Sequence, residues 1–434
     1  MGTSIAMQVA RRSDPLKQPV LLLERSHLAA GSTGRSGAIL RQHYSDRELA
    51  GMARDSLREY SGFRARTGYS VGFQACGVLT LAGPGSPGSV ELVRENVRMQ
   101  QTLGIDTRLV DAAEIRALAR GIQIEEQAIG AFEPGAGVCD PKRTVESFAS
   151  LARYYGATTR SGEDVLEVLV EAGRVCGVRT RTETIEADQV VLAAGPWSRG
   201  LLEPLGIELP LRVLGPQQHF VEALDVGGGA SGSARPEVSP PLGDPGEPSI
   251  PGALLLGGGL ESLGDPDLEG RFEEPEPDLS HAHPVILDLE AGHYARCDPQ
   301  TGQTRVGKMD YTGMARLEDP ADLPEAVSGD FQRWAREALV ERMPAYAERA
   351  DTGGQLGWYT VTPDAQPMLG PWPGIEGLYL VAGFSGHGFK LAPSVGLGLT
   401  QMLFGEPVSA FDTGFFAPTR FASAPPEWGG RYGI

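Results

Sequence analysis

Apolar residues run without interruption through Pro19-Val-Leu-Leu-Leu-Glu24, which predicts a parallel strand buried on both faces. Ahead of it, the stretch from Gly2 to Arg11 carries Ile5, Met7, Val9 and Ala10, a spacing that suits a buried helix, and Ser13-Asp-Pro15 supplies a turn. Helix, turn and buried strand make the second half of a βαβ unit. Mixed polar and apolar positions predict a helix over 45–67, a strand over 73–82, and helices over 88–103 and 111–119. A turn at 135–141 leads into another helix, which Gly156 ends, and strands follow over 164–170 and 174–180. Gln189-Val-Val-Leu-Ala-Ala-Gly195 is a second buried strand that runs straight into a glycine, and strand patterns resume at Pro284-Val-Ile-Leu287 and Thr304-Arg-Val-Gly307.

Residues 225–280 break this rhythm. They are dense in Gly, Pro, Ser and acids, as in Gly227-Gly-Gly229 and Glu273-Glu-Pro-Glu-Pro277, and read as a flexible acidic insertion with a short strand at Ala253-Leu-Leu-Leu256.

Composition narrows the picture. The chain has 434 residues, 41% of them hydrophobic, enough for two or three domains with a sizeable core. A net charge of -18 sets nucleic-acid binding aside, because phosphates repel an acidic surface. No run reaches the ~18 apolar residues of a transmembrane helix, and the start lacks the charged, apolar, small-residue order of a secretory leader. The four cysteines, Cys76, Cys139, Cys176 and Cys297, are scattered without a CxxC pair. That argues against a zinc site or disulfide framework and fits a reducing, cytoplasmic setting.

A dinucleotide fold places Gly-x-Gly-x-x-Gly between a strand and a helix whose N-terminus faces the pyrophosphate, with an acid about 20 residues later for the ribose. Gly2 fits the third glycine, and Glu24 ends an apolar strand 22 residues on. The expectation is that the first two glycines and their strand lie upstream of Met1, so that the chain as written holds FAD poorly and an extended form holds it well.

Three later segments resemble the glycine and sarcosine oxidase group of the D-amino-acid-oxidase-like flavoproteins. The first is Glu24-Arg25 with Gly31-Ser-Thr-Gly-Arg-Ser-Gly-Ala-Ile-Leu-Arg41. The second is Val190-Val-Leu-Ala-Ala-Gly-Pro-Trp-Ser198. The third joins Tyr359-Thr-Val-Thr-Pro-Asp364 to Gly383-Phe-Ser-Gly-His-Gly-Phe-Lys390 and Ala392-Pro-Ser-Val-Gly396. The resemblance implies an α/β fold: a Rossmann-like parallel FAD-binding sheet over 1–80, 135–205 and 350–434, interleaved with an antiparallel-sheet substrate domain over 81–134 and 206–349. It implies cofactor contacts from Gly2, Glu24, Arg25, Ser32, Thr33, Ser36, Gly37, Ala194, Gly195, Gly383, Gly386, His387, Gly388, Phe389 and Lys390. Val165 is either a backbone contact to the adenine or a plain core valine. The glycine-rich run 383–390 would start a helix whose dipole stabilises an anionic reduced flavin.

By the same resemblance, Arg41 and Lys390 clamp a substrate carboxylate and Tyr359 lines the pocket. A buried carboxylate needs such partners, one a bidentate fork and one a point charge. His387 either accepts the amine proton, for which its ordinary pKa is suited, or is a flavin-facing or core histidine. His43 and Tyr44 read mainly as loop packing. Two departures stand out. Relatives that bind flavin covalently use a cysteine where this chain has Gly357, or a histidine where it has Arg35, so FAD is expected to be non-covalent. Oxidases of the group hold a lysine near the flavin to activate dioxygen; here the nearest residues are Arg305 and Lys308, which leaves O2 and a quinone or electron-transfer protein both open as acceptor. The implied reaction is oxidation of a small amino acid or N-methyl amino acid to an imine. Oxidation of a 2-hydroxy acid, and a flavin-binding assembly factor for respiratory complexes, are the alternatives.

Overall fold

The structure, a computed structural model, describes residues 1–224, 283–298, 301–422 and 428. The acidic insertion and its expected strand at 253–256 lie outside the described residues.

The first helix, Gly2–Ala10, turns Ile5, Ala6, Met7 and Ala10 inward. It packs on the last helix, Gly388–Leu403, which is apolar around most of its girth. Their approach is close because Gly396 lacks a side chain: a Cβ there would lie 2.5 Å from Ser4 Oγ and 3.0 Å from Ser4 O. Ser4 Oγ also donates to Ala392 O at 2.7 Å. The helix expected over 45–67 is two helices, Arg47–Ser61 and Phe63–Thr67, meeting at Gly62. Asp46 caps the first by accepting from Leu49 N. Asp140 caps Pro141–Tyr154 in the same way through Lys142 N and Arg143 N.

Two separate parallel pairings form the nucleotide half. Leu21–Glu24 pairs with Thr158–Ser161, and Val190–Leu192 with Leu378–Ala382, whose other edge carries Met368–Pro371 antiparallel. Leu21–Glu24 is half-buried throughout rather than buried on both faces as expected. The cause is local: Leu21, Leu22 and Leu23 look into a large cavity, as do Val190, Val191 and Leu192 of the other pair. Val165–Glu171, Arg174–Thr180 and Thr184–Glu186 make a small antiparallel sheet beside them.

The other half is an eight-stranded sheet, in order Asp351–Leu356, Gln217–Glu222, Gln303–Lys308, His293–Asp298, Val285–Asp288, Val78–Ala82, Ile129–Glu133 and Arg108–Val110. Its pairings are antiparallel except that between Val285–Asp288 and Val78–Ala82. The outer strand Asp351–Leu356 comes from the stretch expected with the FAD-binding domain. One face packs against the helix Gly329–Arg342 through Val306, Ala295, Ala335 and Leu339. The other face looks toward the loop at 36–38, where Tyr294 joins Ala38 and Leu40 in one cluster. A mixed α/β architecture of parallel and antiparallel sheets results, as the sequence implied.

Candidate active site

A cavity of about 1830 Å3 runs between the parallel strand pairs and on toward the eight-stranded sheet. That exceeds the few hundred to ~1,000 Å3 of a site for one small ligand. It is lined by Gly2, Glu24, Arg25, Ser32, Thr33, Ser36, Gly37, Arg41, Val165, Ala194, Gly195, Tyr359, Gly386, Gly388, Phe389 and Lys390. Of the expected site residues, only Gly383 and His387 are off its wall. Gly383 serves the backbone instead: its φ is +75, and a Cβ would stand 2.4 Å from Thr362 Cγ2.

Two helix N-termini face this space, at Gly2 and at Gly388, and neither helix has an acid in its first turn. Their partial positive charge is therefore left for a ligand. With Glu24 at the end of its strand, this donor set fits an FAD: the first helix for the pyrophosphate, the acid for the ribose, the last helix for the electron-rich edge of the ring.

The glycine-rich first loop is built to hold one shape. Ser32–Arg35 forms a 3-10 turn, and Ser36 Oγ accepts from Ala38 N at 2.9 Å. The substrate-domain sheet grips it from behind. Arg35 Nη1 donates to Leu356 O at 2.9 Å, and Arg35 O accepts from Gln218 and Gln355. Arg296, buried and paired with Asp298 at 3.1 Å, donates to Gly37 O. Arg305 reaches Ser36 O at 3.5 Å. Gly357 and Arg35 stand together: a Cβ on Gly357 would lie 3.6 Å from Arg35 Cβ, and both line the cavity.

Arg41, also on the cavity wall, is 3% exposed, with its guanidinium 4.1 Å above the Tyr44 ring and donating to His43 O. Lys390 sits in the first turn of the last helix, 8% exposed. Burial, and then repulsion from Arg41, hold its ammonium well below the ordinary lysine pKa. Two basic side chains thus share a buried stretch of the cavity wall. His387 lies behind them, fully buried, with Nδ1 3.4 Å from Tyr44 Oη. Burial, Lys390 and Arg41 drive its pKa well below the ordinary value. The ring is therefore neutral, and it lies off the cavity wall. His43 is likewise neutral, pushed down to about 3 by burial and Arg41; it lies between Asn96 and Gln100 at 3.3 and 3.4 Å. Tyr44, read from sequence as packing, is the platform under Arg41.

Glu133 was invisible in the sequence. It ends Ile129–Glu133, is 1% exposed, and accepts from Gln42 N at 2.9 and 3.2 Å. Only strand pairing brings it to residue 42, and no local pattern marks it. Lys308 turns away: its Nζ donates to Thr312 O at 3.2 Å and stands 4.9 Å from the Trp334 ring. Neither Lys308 nor Arg305 lines the cavity.

Rat mitochondrial dimethylglycine dehydrogenase is 25% identical over 97% of the chain and 44% of its own length. The chain therefore spans less than half of the dimethylglycine dehydrogenases that it matches. Mouse peroxisomal sarcosine oxidase is 25% identical over 97% of the chain and 94% of its own length. Among solved structures, L-proline dehydrogenase from P. horikoshii superposes with a TM-score of 0.76 at 21% identity, covering 97% of this chain and 94% of that one. Glycine oxidase from Geobacillus kaustophilus gives 0.72 at 17% identity, covering 96% and 95%. No helix among the described residues is long and apolar enough to cross a membrane. Residues 1–402 match the family described as DAO, FAD dependent oxidoreductase, and the chain belongs to that family of FAD-dependent oxidoreductases.

Proposed function

We propose that the protein oxidises the C–N bond of a small amino acid or N-methyl amino acid to an imine, which water then hydrolyses. The observation that carries this reading is that two buried basic side chains, Arg41 and Lys390, line the same cavity and feel each other's charge. A substrate carboxylate that enters the cavity meets both side chains, one a bidentate fork and one a point charge. Relatives named for dimethylglycine, sarcosine, proline and glycine all take an amine beside a carboxylate, which supports the same substrate class.

FAD is held non-covalently, because Gly357 and Arg35 stand at the two attachment positions known in the group. When bound, the flavin accepts the hydride from the substrate carbon next to nitrogen. The chain's own residues do the rest. Arg41 and Lys390 fix the carboxylate and, as cations, favour the neutral amine that hydride loss requires. Tyr359 closes the pocket, and Tyr44 and His387 keep Arg41 and Lys390 in place. With Lys308 turned away and Arg305 engaged on the first loop, the reading favours a quinone or electron-transfer protein over O2 as acceptor.

The test is anaerobic bleaching of the flavin by sarcosine, dimethylglycine, proline, glycine and 2-hydroxy acids. Bleaching by an amine, lost in Lys390→Met, supports the proposal; bleaching by hydroxy acids alone overturns it. Peroxide formed per imine under air separates the acceptors. Acid precipitation should leave the flavin in solution.

A further inference from the structure

We propose that Glu133 is a positioning residue for carboxylate recognition: from behind the cavity wall it holds the Arg41–Tyr44 turn by its backbone and offsets the charge of Arg41. The inference rests on the carboxylate-clamp reading above. Acids are almost never fully buried without partners. Glu133 is 1% exposed, and its partners are main-chain amides: Gln42 N to both carboxylate oxygens, at 2.9 and 3.2 Å, and the amide of His43. Two successive N–H groups pinned to one carboxylate fix the path of the chain just after Arg41. The Arg41 side chain is thereby committed to the cavity, over Tyr44. The turn itself has no regular secondary structure to hold it.

The charges agree with this role. Facing Glu133 are the Arg41 guanidinium and the Gln42 and His43 amides from the turn, and Asp106 from the segment before Arg108–Val110; Lys390 and His387 lie beyond Arg41. Burial raises the carboxyl to about 7, against the pull of the Gln42 amide, Arg41 and the His43 amide, while Asp106 repels it. A ligand carboxylate on Arg41 brings a second anion toward Glu133. Binding and protonation of Glu133 are therefore linked: bound carboxylate favours the protonated acid, and protonation tightens the carboxylate.

Acetate is the probe, titrated into the holoprotein and followed by the shift in flavin absorbance between pH 5.5 and 9. Wild type should bind acetate on the order of ten-fold more weakly at the alkaline end. Glu133→Gln keeps one acceptor for Gln42 N–H and removes the charge, so it should bind as tightly as wild type at pH 5.5 and show no inflection near pH 7. Glu133→Ala removes the acceptor as well and should bind more weakly at every pH. A profile unchanged in Glu133→Gln assigns the titration to Lys390 and overturns the proposal, whether or not the alanine variant folds. Acetate that binds no form of the holoprotein sinks the carboxylate clamp and this inference together; tight acetate binding indifferent to residue 133 sinks this inference alone.

Discussion

Pro393 stands inside the helix Gly388–Leu403 and carries no N–H, so the carbonyl of Phe389, four residues earlier, loses its helical donor. Tyr60 replaces it: Tyr60 Oη donates to Phe389 O at 2.7 Å. The tyrosine ring is buried between Phe389, stacked at 5.6 Å and 9°, and Phe148, at 6.2 Å and 20°. Tyr60→Phe keeps both stacks and leaves the carbonyl without a protein donor, at a cost of about 1–3 kcal/mol. Pro393→Ala gives the helix back its N–H, so in that background the hydroxyl is a second donor that the carbonyl does not need. Tyr60→Phe should then cost less than about 0.5 kcal/mol, and the difference between backgrounds, about 1–2 kcal/mol, is the coupling. Urea unfolding of the four proteins, followed by tryptophan fluorescence, measures it, provided the slopes agree. Because Phe389 and Lys390 line the cavity in this same turn, Tyr60→Phe should also weaken FAD. An equal cost in both backgrounds would refute the account of how the turn is held.

Lys390→Met should abolish carboxylate binding yet stabilise the flavin-free protein by about 1–4 kcal/mol, since a buried ammonium gives way to an apolar chain. The sign follows from its lowered pKa: the unfolded lysine binds the proton more tightly, so the gain in thermal midpoint is full at low pH and fades as pH rises toward the ordinary lysine value. Gly396→Ala presses a Cβ against Ser4 Oγ and the Ser4 backbone and should cost about 1–3 kcal/mol in urea unfolding; an alanine variant as stable as wild type would deny the close helix contact. Arg296→Met takes away the guanidinium paired with the buried Asp298 carboxylate and should cost about 3–5 kcal/mol. Adding Asp298→Asn should restore most of that stability but not FAD affinity, because the grip on Gly37 O stays lost; recovery of both in flavin titrations would remove Arg296 from the loop's support.

Much of this molecule is determined by local sequence. The buried helix at Gly2–Ala10, the apolar strands at 21–24 and 190–192, the cap at Asp140 and the glycine-rich run before the last helix all follow from period, propensity and turn chemistry, which act over a few residues. The motifs also single out the basic residues Arg41 and Lys390, because each sits inside a distinctive local pattern. What surrounds those residues is another matter. Glu133, Tyr44 and the Arg296–Asp298 pair reach the site from strands and turns separated by tens to hundreds of residues, and no periodicity encodes that meeting. Burial decides the electrostatics as well: the sequence leaves His387 open between a proton acceptor and an enclosed ring, and only in the fold do desolvation, Lys390 and Arg41 lower its pKa. Leu21–Glu24 shows the same division. Its composition fixed it as a strand, but only the tertiary arrangement, which opens one side of it onto the cavity, decided that it would be half-buried.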